Sequence, residues 1–414
     1  MRTKKNIYII ILLATAFVLS VFAFNINGRS NNNPSENYLS NSNLLNETDT
    51  LQVLIDKYAK LVQEAEGCSK ETVDIRSQIK NHENLIFDLE KVQQDFNSLC
   101  DSIPISKLSK EKIDTCQLYI NYLIKVKSIN KNYDKLDKKV IQEIKEQLIE
   151  QNKLLNSKKN DSIKISYKLN KTISDVQQYT SRIIGSRHIV CNGIPFDLFV
   201  ADINVHEIRT HLKNPKSGKN YYNLQSLINS NEFINKKLLM ATNAGMYTQT
   251  NEPQGLYIEN FKKLKNIDTT DTDNTLNFYL KPNGVFYIDT NETLHISTTE
   301  IFYGKYYKPK IPVKYATQSG PMLVIDGEIH NEFTQGSSNK NIRSGVGIIN
   351  DKKAVFIISN DRINFYDFAL LYKDIFNCKN ALYLDGAISL MYLKDIAPQV
   401  TGGEFGPLIS VSEK

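Results

Sequence analysis

At 414 residues the chain has room for two or three domains, and 51 basic against 45 acidic residues leave a net charge of only +6. No Lys/Arg block or basic–aromatic interleaving is read along it, which argues against nucleic acid as a partner. The five cysteines, Cys68, Cys100, Cys116, Cys191 and Cys378, have neither C-x-x-C spacing nor the density of a disulfide framework.

The amino terminus carries a positive flank, Met1-Arg2-Thr3-Lys4-Lys5, followed by a run from Ile7 to Phe24 that is apolar apart from Tyr8, Thr15 and Ser20. As a helix this run spans about 27 Å, enough for a thin bilayer core. The expectation is a signal anchor over residues 1–24 with the rest of the chain outside the cell membrane; cleavage after Val21-Phe22-Ala23, giving a secreted protein, is the alternative. Residues 25–50 are rich in Asn and Ser and read as a disordered tether, with a sequon at Asn46-Glu47-Thr48.

Glycine then marks a boundary. Of the 18 glycines only Gly28 and Gly67 precede Gly185, and between Leu51 and Ile184 the sole proline is Pro104. Long helices avoid both residues, whereas strand-and-turn folds require them. Leu51, Leu54, Ile55, Tyr58, Leu61, Val62 and Ala65 follow helical spacing, as do Leu85, Ile86, Leu89, Val92, Phe96 and Leu99, and later Val140, Ile144 and Leu148. Residues 51–184 therefore read as a helical, coiled-coil-like stalk with breaks near Gly67, Pro104 and Lys158–Asn160. The apolar positions stray from strict heptads, so folded-back helices and one extended coil both fit, the latter allowing self-association.

From Gly185 the texture changes to short β-rich runs between Gly, Pro, Asn and Asp. Strands are expected at Phe196–Asp202, Leu238–Thr242, Gly255–Glu259, Val285–Asp289, Leu294–Thr298, Met322–Ile325, Gly345–Ile349, Ala354–Ser359, Ala381–Leu384 and Leu408–Val411. Helices are expected at Leu224–Phe233 and Phe365–Phe376. The second opens on Asn364 with Asp367 three residues on, a capping-box pattern that gives Asp367 a structural role. Residues 185–414 are thus expected to form one α+β domain, the fold class of the folded portion as a whole.

Phosphate-loop, G-x-S-x-G, H-E-x-x-H and dinucleotide motifs are absent, and His206 and His211 are five apart, the wrong step for a helical metal pair. His295 and His330 are isolated, so neither a metal nor another cofactor is expected. What remains is polar residues beside glycines at strand ends: Thr242-Asn243-Ala244-Gly245-Met246-Tyr247, Leu280-Lys281-Pro282-Asn283-Gly284, Gln318-Ser319-Gly320-Pro321, Asn341-Ile342-Arg343-Ser344-Gly345-Val346-Gly347 and Asp385-Gly386. Such positions let amides and short side chains approach a ligand. Arg343 has the planar fork for an oxyanion, and Lys281 offers a point charge. Asp385, a lone carboxylate after the apolar run Ala381–Leu384, has two readings: half of an Asp-Gly turn, or a group exposed to a pocket.

The stretches "ATNAGMY", "GLYIEN", "NFYLKPNGVFY", "ATQSGPMLVIDGEIH", "IRSGVGI", "NFYDFALLYKDIF", "NALYLDGAISLMYL" and "GEFGPLISV" occur in the order and spacing of the phosphodiester glycosidase family. The sequence resembles the bacterial branch of that family from about Phe196 to Val411. The resemblance implies hydrolysis of a sugar-1-phosphate diester, with Asp385, Arg343 and Asn243 as catalytic residues. The resemblance also implies Lys281, Gly245 and Gly386 as substrate contacts, and Ser319 and Ser344 from the strand-end groups are expected to join them. Ala387 departs from the pattern, since many relatives carry Gly, Ser or Thr there. A phosphate ester is already a good leaving group, so one carboxylate plus charge stabilisation suffices where an ordinary glycosidase needs two acids. The expected partner is a carbohydrate phosphodiester in surface or environmental glycans, and the rival expectation is a non-catalytic module that binds phosphoglycans.

Overall fold

The structure, a computed structural model, describes residues 41–100, 138–271, 277–386, 388–396 and 403–414. The apolar run Ile7–Phe24, Pro104, Cys116 and Ala387 lie outside the described residues. Among the described residues no helix is long and apolar enough to cross a membrane.

Two long helices lead the chain, α1 (Asn41–Cys100) and α2 (Lys138–Thr180). The breaks read at Gly67 and at Lys158–Asn160 do not occur; both helices run through those points. A Cβ on Gly67 would meet nothing, so this glycine sits on an open helix face and costs only about 1 kcal/mol relative to alanine, too little to interrupt a packed helix. Residues 41–50, read as tether, are the first turns of α1. The helices fold back on one another. Cys68 Sγ reaches the Lys158 carbonyl, Lys158 pairs with Glu71 at 2.5 Å, and Gln151 lies against both Gln78 and His82. Ile75, Ile79 and Leu155 form a small apolar cluster between them.

The hairpin is not free of the strand-rich part of the chain. Leu51, Ile55 and Tyr58 from α1, with Val176 and Ile183 from α2 and just beyond it, belong to the same apolar core as Phe365, Phe368, Leu371 and Ile375. Tyr58 donates to Asp374 Oδ2 at 2.7 Å and Thr180 Oγ1 to the Ile375 carbonyl at 2.7 Å. One compact unit therefore runs from Glu47 to Lys414, across the boundary read at Gly185.

The strand-rich part contains three sheets, antiparallel in every recorded pairing. Seven strands, β1 (Gly185–Cys191), β2 (Ile194–Asp202), β13 (Lys353–Ser359), β12 (Ser344–Asn350), β14 (Asn380–Asp385), β10 (Met322–Ile325) and β11 (Glu328–Ile329), lie side by side in that order. A second sheet has the order β15 (Met391–Leu393), β4 (Leu238–Asn243), β16 (Leu408–Glu413), β3 (His206–His211). The third has the order β6 (Lys262–Lys265), β5 (Tyr257–Glu259), β9 (Val313–Ser319), β7 (Gly284–Asp289), β8 (Leu294–Thr298). The seven-stranded sheet is covered on both faces. Leu198, Val200, Val355 and Ile357 join the core beneath the helices, while Phe199, Ala201, Phe356 and Val346 join the core shared with Met240, Ile288 and Ile409. Two-sided burial explains why Ala381–Leu384 and Ala354–Ile358 are continuously apolar rather than alternating.

The short helices are α3 (Leu224–Ile228), α4 (Thr299–Phe302) and α5 (Phe365–Leu370). α3 ends five residues short of Phe233, and α5 gives way at Leu371 to a wider turn through Ile375. Asn364 caps α5 as the sequence implies: Asp367 N–H donates to Asn364 Oδ1 at 2.8 Å, and Asn364 Nδ2 donates to Asp367 Oδ2 at 2.7 Å. Cys68, Cys191 and Cys378 are buried free thiols.

Candidate active site

Asn243 closes β4, Ser344 opens β12 and Asp385 closes β14, so the ends of three strands bring them together. Strand register sets Ser344 opposite Asp385, and its hydroxyl reaches the Asp385 carbonyl oxygen at 3.4 Å. The segment after Asp385 is stitched to both neighbours. Ser389 Oγ shares a 2.9 Å hydrogen bond with Ser344 Oγ, and Leu390 N–H donates to Asn243 Oδ1 at 3.2 Å. With its oxygen held in this way, the buried Asn243 amide leaves Nδ2 without a partner. A buried, unpaired donor costs on the order of 1–3 kcal/mol, so its place at a strand-end cluster points to a ligand acceptor.

Asp385 is the second unbalanced group. The one hydrogen bond to its carboxylate recorded among the described residues is from Gly386 N–H to Oδ1, at 2.6 Å. Burial holds its pKa above the ordinary carboxylate value, and this single amide bond only partly opposes the shift. The Asp-Gly pair does turn the chain, and among the described residues no cation pairs with the carboxyl. Gly386 is required there, because a Cβ would overlap the Tyr383 hydroxyl. Gly245 is required for the same kind of reason: a Cβ would overlap the Gln318 carbonyl, while Gly245 N–H donates to Thr317 Oγ1 at 3.1 Å. Gly245 therefore packs strand against strand. Ser319 is likewise occupied, donating to the Leu384 carbonyl at 2.9 Å, and so fixes the strand that carries Asp385.

Arg343 differs from the open fork its sequence suggests. It is 1 % exposed. Nε donates to the Ile363 carbonyl at 2.8 Å, and Nη2 donates to the Asn339 carbonyl at 3.0 Å and to Asn339 Oδ1 at 3.4 Å. Only Nη1 faces a weak partner, the Tyr383 hydroxyl at 3.5 Å. A bidentate clamp is not what this geometry offers; Arg343 presents one edge and a positive charge. Burial lowers its pKa, and among the described residues no carboxylate pairs with it. Its carbon Cζ lies 3.5 Å from the centroid of Phe365, which stacks on Phe333, which stacks on His330.

That ladder ends on Lys281. His330 accepts from Glu332 N–H through Nδ1 at 3.2 Å and donates through Nε2 to the Lys281 carbonyl at 3.0 Å. Burial lowers the His330 pKa, which keeps it neutral in this supporting role. The Lys281 ammonium is 3.4 Å from Asn283 Oδ1 and forms no ion pair among the described residues. No recorded contact joins it to Asp385.

Two participants were given no role by the sequence reading, although Tyr247 ends one of its strand-end groups. Ser389 is buried and joins Ser344 to the Asp385–Gly386 turn. Tyr247 donates to the Glu404 carbonyl at 2.9 Å, and its hydroxyl pKa is pushed up to about 12 by burial and by the nearby Asp385 carboxyl. Both depend on partners far along the chain, so spacing carries no signal for them. Among the described residues no group of three His, Cys, Asp or Glu side chains converges on a metal position.

Residues 236–404, which contain every one of these groups, match the family model for phosphodiester glycosidase. The matched segment is less than half of the chain. A protein of Escherichia coli K12, the uncharacterized protein YigE, is 37 % identical over 175 residues. That match covers 42 % of this chain and 66 % of the relative, just under two thirds of its length. Among solved structures, the catalytic domain of zebrafish N-acetylglucosamine-1-phosphodiester α-N-acetylglucosaminidase, auto-inhibited by its pro-peptide, is 14 % identical with a TM-score of 0.39. It aligns with 56 % of this chain and 83 % of that one. The segment that matches the family model includes Asn243, Lys281, Arg343, Ser344 and Asp385.

Proposed function

We propose that the chain is an exported hydrolase that cleaves sugar-1-phosphodiester linkages in surface or environmental glycans. Export rests on the sequence of residues 1–24. The observation that carries the chemistry is the half-buried Asp385 carboxyl, without a cationic partner among the described residues, in the same cluster as the unpaired Asn243 Nδ2. A module built only to bind an anionic phosphoglycan gains nothing from an unpaired carboxylate beside its ligand, since like charges repel. An enzyme does gain: a carboxylate of raised pKa is a stronger base once ionised.

In the proposed step, water attacks the anomeric carbon and gives a proton to Asp385. The C1–O bond breaks, and its electron pair leaves with the phosphate, whose monoester has a second pKa of about 6 and needs little help from an acid. Asn243 Nδ2 donates to a sugar or phosphate oxygen. Arg343 Nη1 and the Lys281 ammonium offset negative charge that grows on the leaving group.

The deciding experiment incubates the purified chain with UDP-sugars and simple sugar-1-phosphate diesters and follows free sugar. Turnover that Asp385→Asn removes supports the proposal. Tight binding without release of sugar on all of them would favour the phosphoglycan-binding module instead.

A further inference from the structure

The third sheet ends in an edge strand unlike the others. β6 reads Lys262-Lys263-Leu264-Lys265, and all four side chains are exposed. Across from it, residues 301–312 read Ile-Phe-Tyr-Gly-Lys-Tyr-Tyr-Lys-Pro-Lys-Ile-Pro, leaving α4 through a wide turn, Tyr303–Tyr307, before β9. Contrary to the expectation for the whole chain, basic and aromatic residues do interleave here. The two segments meet. Lys263 Nζ stands 4.5 Å over the Tyr307 ring and 3.3 Å from its hydroxyl, and Tyr307 donates to Asn266 Oδ1 at 3.1 Å. The β5–β6 turn is tied to the start of β9 as well, with Phe261 N–H donating to the Lys314 carbonyl at 2.8 Å.

These two segments carry Lys262, Lys263, Lys265, Lys305, Lys308 and Lys310, all exposed. No Asp or Glu lies within residues 261–267 or 301–312, and among the described residues none of these six lysines forms an ion pair. Between the lysines stand Phe261, Leu264, Ile301, Tyr303 and Ile311, each 40–55 % exposed. Single exposed apolar side chains are ordinary; five of them set among six unneutralised cations are not.

We propose that this face docks on an anionic lipid surface. Charge complementarity supplies the long-range attraction, since each lysine near an anionic membrane adds to binding. The apolar side chains decide between lipid and other polyanions. Leu264, Ile301 and Ile311 are aliphatic and, with the exposed rings of Phe261 and Tyr303, enter the boundary between head groups and acyl chains; the three aliphatic side chains would give a nucleic-acid base nothing to stack on. The Tyr307 ring is covered by Lys263, and Tyr306 is buried. The cations are lysines without an arginine among them, point charges suited to a diffuse layer of head groups rather than to a fixed phosphate geometry.

The unit Glu47–Lys414, which holds every described core cluster, is mixed with vesicles of phosphatidylcholine alone or with a minority of phosphatidylglycerol, and bound protein is separated by flotation. Binding to the mixed vesicles is expected to be at least roughly tenfold tighter and to weaken as salt is added. Lys263→Glu/Lys265→Glu/Lys308→Glu and, separately, Leu264→Ser/Ile311→Ser should each remove that preference while the melting temperature holds. Equal binding to both vesicle types overturns the proposal. So does a Leu264→Ser/Ile311→Ser variant that binds as well as the parent while heparin or single-stranded DNA competes, because the face is then a polyanion site without lipid contact.

Discussion

Cutting the chain at Gly185 would separate residues that share one core. Leu51, Ile55, Tyr58, Val176 and Ile183 are all but fully buried against the strand-rich part. At about 1.5–3 kcal/mol for each large apolar side chain withdrawn from water, the five contribute roughly 7–15 kcal/mol. A domain is stable by only about 5–15 kcal/mol in total, so the loss is as large as the whole margin. The fragment 185–414 would also expose Phe365, Phe368 and Leu371 to solvent. It is expected to be insoluble or to melt far below the fragment 47–414 when the two are compared by size-exclusion chromatography and thermal unfolding. A monomeric 185–414 fragment melting within a few degrees of the longer one would refute the reasoning, and the hairpin would then be an independent stalk.

Tyr58→Phe strips the hydrogen bond from Asp374, a half-buried carboxyl whose pKa is raised by desolvation and held down in part by Tyr58. The cost, about 1–3 kcal/mol, falls on the ionised form, so thermal unfolding should show a larger deficit at neutral pH than near pH 4. Asp385→Asn should cut turnover at least about a hundredfold. Because burial raises the folded pKa of Asp385, its stability contribution is present below the unfolded value and lost as pH rises through the folded one; the variant's melting temperature should therefore gain on the parent's from acid towards neutral pH. If the parent chain turns over the proposed substrates, the acid limb of its kcat/KM is expected above the ordinary carboxylate range for the same reason. Arg343→Lys cannot serve Ile363 and Asn339 together, so about 1–3 kcal/mol of stability should go with the activity, measured as a lower melting temperature beside a lower kcat. Asp367→Asn should cost about 1 kcal/mol of capping by thermal unfolding and leave turnover in place.

Strands buried on both faces were legible because their apolar runs are continuous, and Leu294–Thr298 and Met322–Ile325 fall on the residues expected. β3, β6 and β9 were not. β6 is four exposed residues on an edge, with no apolar signal to read. β3 reads His-Glu-Ile-Arg-Thr-His; its last residue is buried only because Ser410 shares a 2.7 Å hydrogen bond with it and Glu232 lies 3.3 Å away. β9 contains Gln318, whose amide is satisfied by Leu256, Asp268 and Thr299, partners from separate segments. The same division holds in the site. Asn243 and Asp385 were legible from their glycine neighbours, whereas Ser389 and Tyr247 matter through contacts 45 and 157 residues away. For Arg343 the sequence reports the charge but not the two carbonyls that occupy its fork.

The placing of Arg343 and Asp385 has a consequence for the proposed chemistry. An ion pair would drive both groups towards their charged forms; here burial raises the carboxyl's pKa and lowers the guanidinium's, and Tyr383 lies within electrostatic reach of both. Neither charge neutralises the other, so both remain for a ligand. An anionic phosphodiester entering this cluster would be drawn to the arginine edge and would raise the carboxyl's pKa further by like-charge repulsion. Substrate binding would then strengthen the base that the reaction uses, while the arginine, anchored at Ile363 and Asn339, would not have to reorganise as the leaving phosphate gains charge.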